Sequence, residues 1–282
     1  MNQKEKNLMV TISGGRSSAK AARHIQTSDK YKDYNKLYVF ANTGQERTET
    51  INFLKHIVKN WGIDLNIVEG VYSNKIGVGI GYKLVDFESM AMNSEPFEGA
   101  IMHKNKGVYD GLPHQKAPYC SESMKTIPCK KFADEIFGVN NYIKSIGFRK
   151  EDMPKRITVH EIKEDKERIF PLITDFYTPI GQSELTRWWK TQPFKLEIDG
   201  KFGNCKYCWK KSEKLLLENI KFDLSNEDYT AINWWQKMEE QYGNVSFRGN
   251  KSIDDLVRLS KLPTTLRIEF PDEEQDSCVC SF

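Results

Sequence analysis

The stretch Leu8-Met9-Val10-Thr11-Ile12-Ser13-Gly14-Gly15-Arg16-Ser17-Ser18-Ala19 decides the fold. Leu8 to Ile12 is an apolar run of strand length. It enters a Ser-Gly-Gly turn, and a helical pattern follows from Ala19 to Ile25. A strand, a glycine turn and a helix N-terminus gather several backbone N–H groups around one small volume. Unpaired N–H groups and the helix dipole both favour an anion there, so the turn reads as a phosphate or sulfate cradle. Gly14 and Gly15 serve where φ is positive or where an anion must touch backbone. The hydroxyls of Ser13, Ser17 and Ser18 add donors, and Arg16 adds a charge. The competing reading is a tight turn with no ligand. The turn has neither the Gly-Lys-Ser/Thr of a Walker loop nor the Gly-x-Gly-x-x-Gly of a dinucleotide site.

A second apolar run, Leu37-Tyr38-Val39-Phe40-Ala41, ends in the polar turn Asn42-Thr43-Gly44-Gln45-Glu46. Thr50, Phe53, Leu54, Ile57, Val58 and Trp61 then recur at helical spacing, and Leu65 to Val68 reads as a third strand. This alternation predicts an α/β fold, an open parallel sheet with helices on both faces. Ligands of such sheets sit beyond the carboxyl ends of the strands. Both polar turns fall at such ends, so one ligand can touch Ser13 to Ser18 and also Asn42, Thr43, Gly44 and Glu46.

Two later segments extend the pattern. They are Cys120-Ser121-Glu122-Ser123-Met124-Lys125-Thr126-Ile127-Pro128, and Ile146-Gly147-Phe148-Arg149-Lys150-Glu151 through Arg156. With the two turns, they make four elements that resemble, in order, those of the phosphoadenosine phosphosulfate (PAPS) reductase family. That family belongs to the PP-loop, or adenine nucleotide alpha-hydrolase-like, superfamily. The resemblance covers roughly residues 8 to 175. The family's loop reads Ser-Gly-Gly-x-Asp-Ser, and here Ser17 stands where the Asp would be. The resemblance implies an adenine nucleotide as ligand: PAPS, or ATP with Mg²⁺. It implies anion roles for Arg149 and Arg156, whose guanidinium groups suit bidentate binding of phosphate or sulfate. The competing reading of the two arginines is a solvated loop. Lys125, the lysine of the third element, becomes a candidate catalytic cation, with Lys130 a further candidate.

With 282 residues, 39% of them hydrophobic, the chain can bury a sizeable core. A net charge of +3 neither demands nor excludes nucleic acid. No apolar stretch has the length of a membrane span, and the first residues lack the apolar core of a signal peptide. The expected location is the cytoplasm, where thiols stay reduced. Three regions are expected: a nucleotide-binding domain over 1–175, a helical region over 176–270, and a cysteine-containing tail over 271–282. Within the first region, Tyr82 to Met92 is expected to form a short helix. His24 and His56 are expected to be structural, and the Trp188-Trp189 and Trp234-Trp235 pairs to pack in a core or groove.

Six cysteines in a reducing compartment are ligands, redox thiols or buried fillers rather than disulfides. Cys205-Lys206-Tyr207-Cys208 places two thiols where they can bind one metal from the same side. That is half of a four-ligand site, and Cys120 and Cys129 are candidates for the other half. Related sulfur-handling members of the superfamily carry a four-cysteine iron–sulfur cluster, so a [4Fe-4S] cluster or Zn²⁺ is the expected occupant. Alternatives are a redox dithiol at Cys205 and Cys208, or no role. The family attacks its substrate with a cysteine on a C-terminal tail, which makes Cys278 and Cys280 candidate nucleophiles.

Three functions follow as expectations. The first is PAPS reductase-like phosphosulfate reduction by thiol attack, with a thiol reductant protein as partner. The second is an ATP-pyrophosphatase sulfurtransferase with an iron–sulfur cluster, acting with a sulfur donor on a nucleic acid or small molecule. The third is a non-catalytic nucleotide-binding module.

Overall fold

The computed structural model describes residues 6–106, 111–203 and 205–263. Strand and helix alternate from the start: β1 (Lys6–Thr11), α1 (Arg16–Thr27), β2 (Tyr34–Ala41), α2 (Thr48–Trp61), β3 (Leu65–Val71). There follow β4 (Gly81–Val85), α3 (Glu95–Lys104), α4 (Tyr119–Ser121), one π-helical turn (Glu122–Thr126) and α5 (Ile127–Phe137). Then come β5 (Ile143–Ser145), α6 (Val159–Glu164), β6 (Arg168–Ile169), α7 (Pro171–Thr174) and α8 (Gln182–Trp189). The C-terminal helices are α9 (Glu213–Ser225), α10 (Thr230–Tyr242) and α11 (Ile253–Lys261).

One six-stranded sheet runs β4-β3-β2-β1-β5-β6. All neighbours are parallel except β3 and β4. The sheet is therefore α/β and mostly parallel, with an antiparallel edge in place of the expected wholly parallel arrangement. That edge replaces the helix expected over residues 82–92. The backbone of Gly81–Val85 pairs with β3. The Asp86 carboxylate then accepts from the N–H groups of Glu88 and Ser89 and from the Ser89 hydroxyl, which favours a turn over a helix.

The side chains of β1 and β2 alternate between two cores, as strand geometry requires. Leu8, Val10, Ile12, Tyr38 and Phe40 pack with Ile25 of α1, Leu54 and Ile57 of α2 and Trp189 of α8. Met9, Leu37, Val39 and Ala41 face the other way, onto Phe132 and Ala133 of α5. Helices thus cover both faces. A third core joins Phe97 and Ile101 of α3 to Leu216, Ile220, Trp235, Met238 and Leu256 of α9, α10 and α11. Trp189, Trp234 and Trp235 are all buried, as packing residues should be. Among the described residues no helix is long and apolar enough to cross a membrane.

The C-terminal helices carry one pH-sensitive contact. Both carboxylate oxygens of Glu239 lie 3.0 Å from the backbone N of Ile253, whose N–H they accept at the start of α11. Burial pushes the Glu239 carboxyl up to about 7, although the Ile253 N–H opposes the shift. The folded chain therefore holds this proton more tightly than the unfolded chain. The stabilisation is full below the ordinary carboxyl value of about 4.3 and is lost as pH rises through about 7. Denaturant midpoints measured across that window are expected to fall less for Glu239→Gln than for the native chain. Parallel profiles would show that Glu239 is not the group responsible.

Candidate functional site

Strand order brings the first turn to the centre of the sheet. β1 has β2 on one side and β5 on the other, so the chain reverses its winding direction at β1. The crevice beyond the carboxyl ends of β1 and β5 is the switch point at which open α/β sheets bind ligands. Two loops border it, Ile12–Gly15 and Ile146–Arg149.

The first loop is built to keep its shape. Gly14 has φ of +76°, a left-handed conformation that favours glycine. The Ser18 Oγ accepts the Ser13 N–H at 3.0 Å and donates to the Gly15 carbonyl at 3.1 Å, which closes the turn. The Ser13 and Ser18 hydroxyls lie 3.0 Å apart. Helix α1 begins at Arg16 with Gly15 as its N-cap and no side-chain cap. First-turn N–H groups have no intrahelical partner, so they remain for a ligand or water. The Arg16 guanidinium donates to the Leu196 carbonyl at 3.2 Å, and the Trp189 indole donates to the Arg16 carbonyl at 3.2 Å. Arg16 thus ties the loop to the segment after α8, while its buried Nε makes no hydrogen bond.

The second loop presses on the first. A Cβ added to Gly147 would lie 2.7 Å from the Ser18 Cα and 2.9 Å from the Ser18 nitrogen. Only glycine permits that approach. Two residues on, the Arg149 guanidinium donates to the Gln182 side chain, while its buried Nε has no hydrogen-bond partner. The same Nε is 3.8 Å from Asp152 and 4.0 Å from Glu151. Arg156 pairs with the other Asp152 oxygen at 3.3 Å. Asp152 therefore sits between the two arginines expected to bind an anion. The Arg149 Nε faces these two carboxylates at ion-pair distance without a hydrogen bond.

The loop after β2 turns its polar side chains inward. Asn42, Thr43 and Glu46 are buried and use their side chains internally. Asn42 donates to Glu69 and to the Ala91 carbonyl, each at 2.7 Å. Its Oδ1 accepts the Gly44 N–H at 3.1 Å, and the Gly44 carbonyl accepts from Ser94 at 3.0 Å. Glu46 accepts from the Thr43 hydroxyl at 2.8 Å and from the Thr43 N–H at 3.1 Å. Burial pushes the Glu46 carboxyl above its usual range, against the opposing effects of the Lys125 ammonium and the Thr43 hydrogen bonds.

This loop is also the platform on which the cysteine turn docks. The Lys206 N–H donates to the Gln45 carbonyl at 3.1 Å, and Thr43 Oγ1 is 3.4 Å from Cys205 Sγ. Behind it lies a buried polar network. Arg47 pairs with Asp223 at 2.5 Å and donates to Asn219 at 3.2 Å, and the Tyr207 hydroxyl donates to Asp223 at 2.6 Å. None of Arg47, Tyr207, Asn219 or Asp223 was a candidate from sequence. The partners of Arg47, which include the Phe202 carbonyl, lie 155 or more positions away, where no local motif points to them.

The four candidate ligands divide. Cys120, Cys205 and Cys208 line one small cavity with Lys125, Tyr207, Trp209 and Phe97. Cys129 packs instead with Met9, Val39 and Phe132 against the sheet. Burial pushes its thiol up to about 12, which keeps it protonated. Among the described residues no three His, Cys, Asp or Glu side chains are placed to hold one metal ion. The expected four-cysteine centre of Cys120, Cys129, Cys205 and Cys208 is therefore not assembled, and Cys129 does not fit it. Lys125 is buried, facing the cysteine cavity. Cys278 and Cys280 lie outside the described residues.

The chain is 28% identical over 260 residues to an uncharacterized nin region protein, ORF290, of Escherichia phage lambda. That match covers 89% of this chain and 84% of the phage protein. No family model and no solved structure matches the chain.

Proposed function

We propose that this protein binds an adenine nucleotide at the β1/β5 switch point and carries out PAPS reductase-like sulfur chemistry on it. The observation that carries this reading is the paired-loop cradle. A left-handed Gly14 and the close approach of Gly147 to Ser18 shape the first turn of α1, whose N–H groups suit an anion, and the adjoining loop carries Arg149. The four-element resemblance supplies the nucleotide and the reaction class.

The chemistry balances with two thiols. One thiolate attacks the sulfonyl sulfur of the phosphosulfate, forming a sulfur–sulfur bond as the bond from sulfur to the phosphate oxygen breaks. The bisphosphate nucleotide leaves. A second thiolate then displaces sulfite and leaves a disulfide, so two thiols are oxidised and the sulfur is reduced by two electrons. In the reading taken from the resemblance, Cys278 and Cys280 supply the attacking thiol and a thiol reductant protein resets it. Such a cycle needs the reducing conditions of cytoplasm.

A second reading has one observation of its own. Cys120, Cys205, Cys208 and Lys125 share a cavity against Thr43, at the carboxyl end of β2. An ATP-dependent sulfurtransferase would use such an internal set. Anaerobic assays of sulfite release from PAPS and pyrophosphate release from ATP, run side by side, separate the two. Nucleotide binding without either product would leave a binding module.

Arg149 offers a direct check. Arg149→Ala is expected to weaken nucleotide binding by about 1.5–3 kcal/mol, the size of a charge-assisted hydrogen bond. Arg149→Lys should recover only part of it, because the fork is lost. Full recovery by lysine in calorimetry would reduce Arg149 to a diffuse positive charge.

A further inference from the structure

We infer that Cys205 and Cys208 form a redox-active pair, converting between two thiols and one disulfide, whose state is felt by the loop after β2. The pair does not depend on the function proposed above. Cys205 and Cys208 pack against each other as their own buried cluster, at the two ends of one turn. A turn brings residues three apart within the reach of a disulfide. Each retains slight exposure, 8% for Cys205 and 7% for Cys208, whereas Cys129 has 1%.

The surroundings favour thiol exchange. Lys125 lines the same cavity, and a cationic neighbour promotes the thiolate, which is the attacking species. The other two lysines of this segment are engaged elsewhere: the Lys206 ammonium pairs with Asp228, and the Lys211 ammonium donates to the Lys206 carbonyl and to Asn219. Cys120 shares the cavity but is differently engaged, since its Sγ accepts the Trp209 indole N–H at 3.4 Å. Among the described residues no set of three or more His, Cys, Asp or Glu side chains is placed to hold a metal ion at these cysteines, and Cys129 lies apart.

The exchange is balanced by a low-molecular-weight disulfide such as oxidised glutathione. One cysteine thiolate attacks it, the external sulfur–sulfur bond breaks, and one external thiolate leaves. The second cysteine attacks the mixed disulfide, and the other external thiolate leaves. Two electrons pass to the external disulfide, and the two protein protons end on the departing thiolates.

The coupling to the loop follows from two contacts. Thr43 Oγ1 touches Cys205 Sγ at 3.4 Å, and the Lys206 N–H holds the Gln45 carbonyl at 3.1 Å. Pulling Cys205 toward Cys208 changes the first contact and strains the second.

The test equilibrates the full chain, without nucleotide, in glutathione buffers of graded redox potential. Acid quenching, alkylation and mass-spectrometric mapping then read each cysteine. The expected result is a two-electron transition joining Cys205 to Cys208, with Cys129 reduced throughout. Cys205→Ser and Cys208→Ser should each abolish it and leave a glutathione adduct on the remaining cysteine. Amide exchange over residues 42–47 should differ by about tenfold between oxidised and reduced protein. Overturning results are persistence of both thiols in fully oxidising buffer, pairing of either with Cys120, or stoichiometric zinc or iron bound to the pair on purification. Unchanged exchange over residues 42–47 would overturn the coupling. Because no nucleotide is present, each outcome leaves the proposed function to its own assays.

Discussion

Arg47→Ala is expected to destabilise the protein by about 3–5 kcal/mol, the range for breaking a buried ion pair from one side. Asp223 would remain buried, with only the Tyr207 hydroxyl donating to it in the network described. The Arg47 and Asp223 side chains are 4% and 1% exposed, so solvent cannot replace the lost partner. The damage should centre on the contact between the loop after β2 and the cysteine turn. Arg47→Ala with Asp223→Asn should recover part of the loss, because the stranded charge is removed. Denaturant unfolding checks both. A loss below about 1 kcal/mol for Arg47→Ala would place the pair in the class of exposed salt bridges.

Gly147→Val should remove nucleotide binding more completely than any change of a side chain that touches the ligand. The added Cβ meets backbone at 2.7 Å, and backbone cannot rotate away. Overpacking of this kind costs about 1–3 kcal/mol in stability, which leaves a folded chain. The displaced atoms are those of Ser17 and Ser18, at the start of α1. Calorimetry with PAPS and a melting curve on the same sample make the check. Native affinity in a folded Gly147→Val protein would move the ligand away from the switch point.

The parts legible in the sequence are those whose causes are local. Leu8 to Ala19 specifies strand, turn and helix through residues that touch one another, and each element formed where expected. β4 was not legible as a strand. Its pairing with β3 depends on register, and Leu84 is half exposed on an edge, so no clean alternation marks it. The Asn42 to Glu46 turn was placed correctly at a strand end. Its burial was hidden, because the covering cysteine turn lies some 160 positions away. The separation of Cys129 was not legible. Cys120 and Cys129 stand nine positions apart, but a π-helical turn over Glu122–Thr126 lies between them, so a count at 3.6 residues per turn does not give the faces they present. The network of Arg47, Tyr207, Asn219 and Asp223 left no trace in any window of sequence, since every long-range partner enters only through tertiary folding.

The proposed nucleotide cradle can be tested without disturbing the protein, because Gly15 is spared the constraints of its neighbours. Its φ of −98° and ψ of 159° suit any residue, and an added Cβ would meet only the Ser13 Oγ, at 3.6 Å. A side chain at Gly15 therefore costs the fold little, and a change in affinity reports on the ligand. The decisive measurement is a calorimetric titration of PAPS into the native chain and into Gly15→Val at matched melting temperature. The expected result is saturable one-to-one binding by the native chain, weakened at least about tenfold in the variant, a difference of about 1.4 kcal/mol or more. No binding by the native chain, or equal affinity in the two proteins, would contradict the assignment of this turn as the nucleotide site.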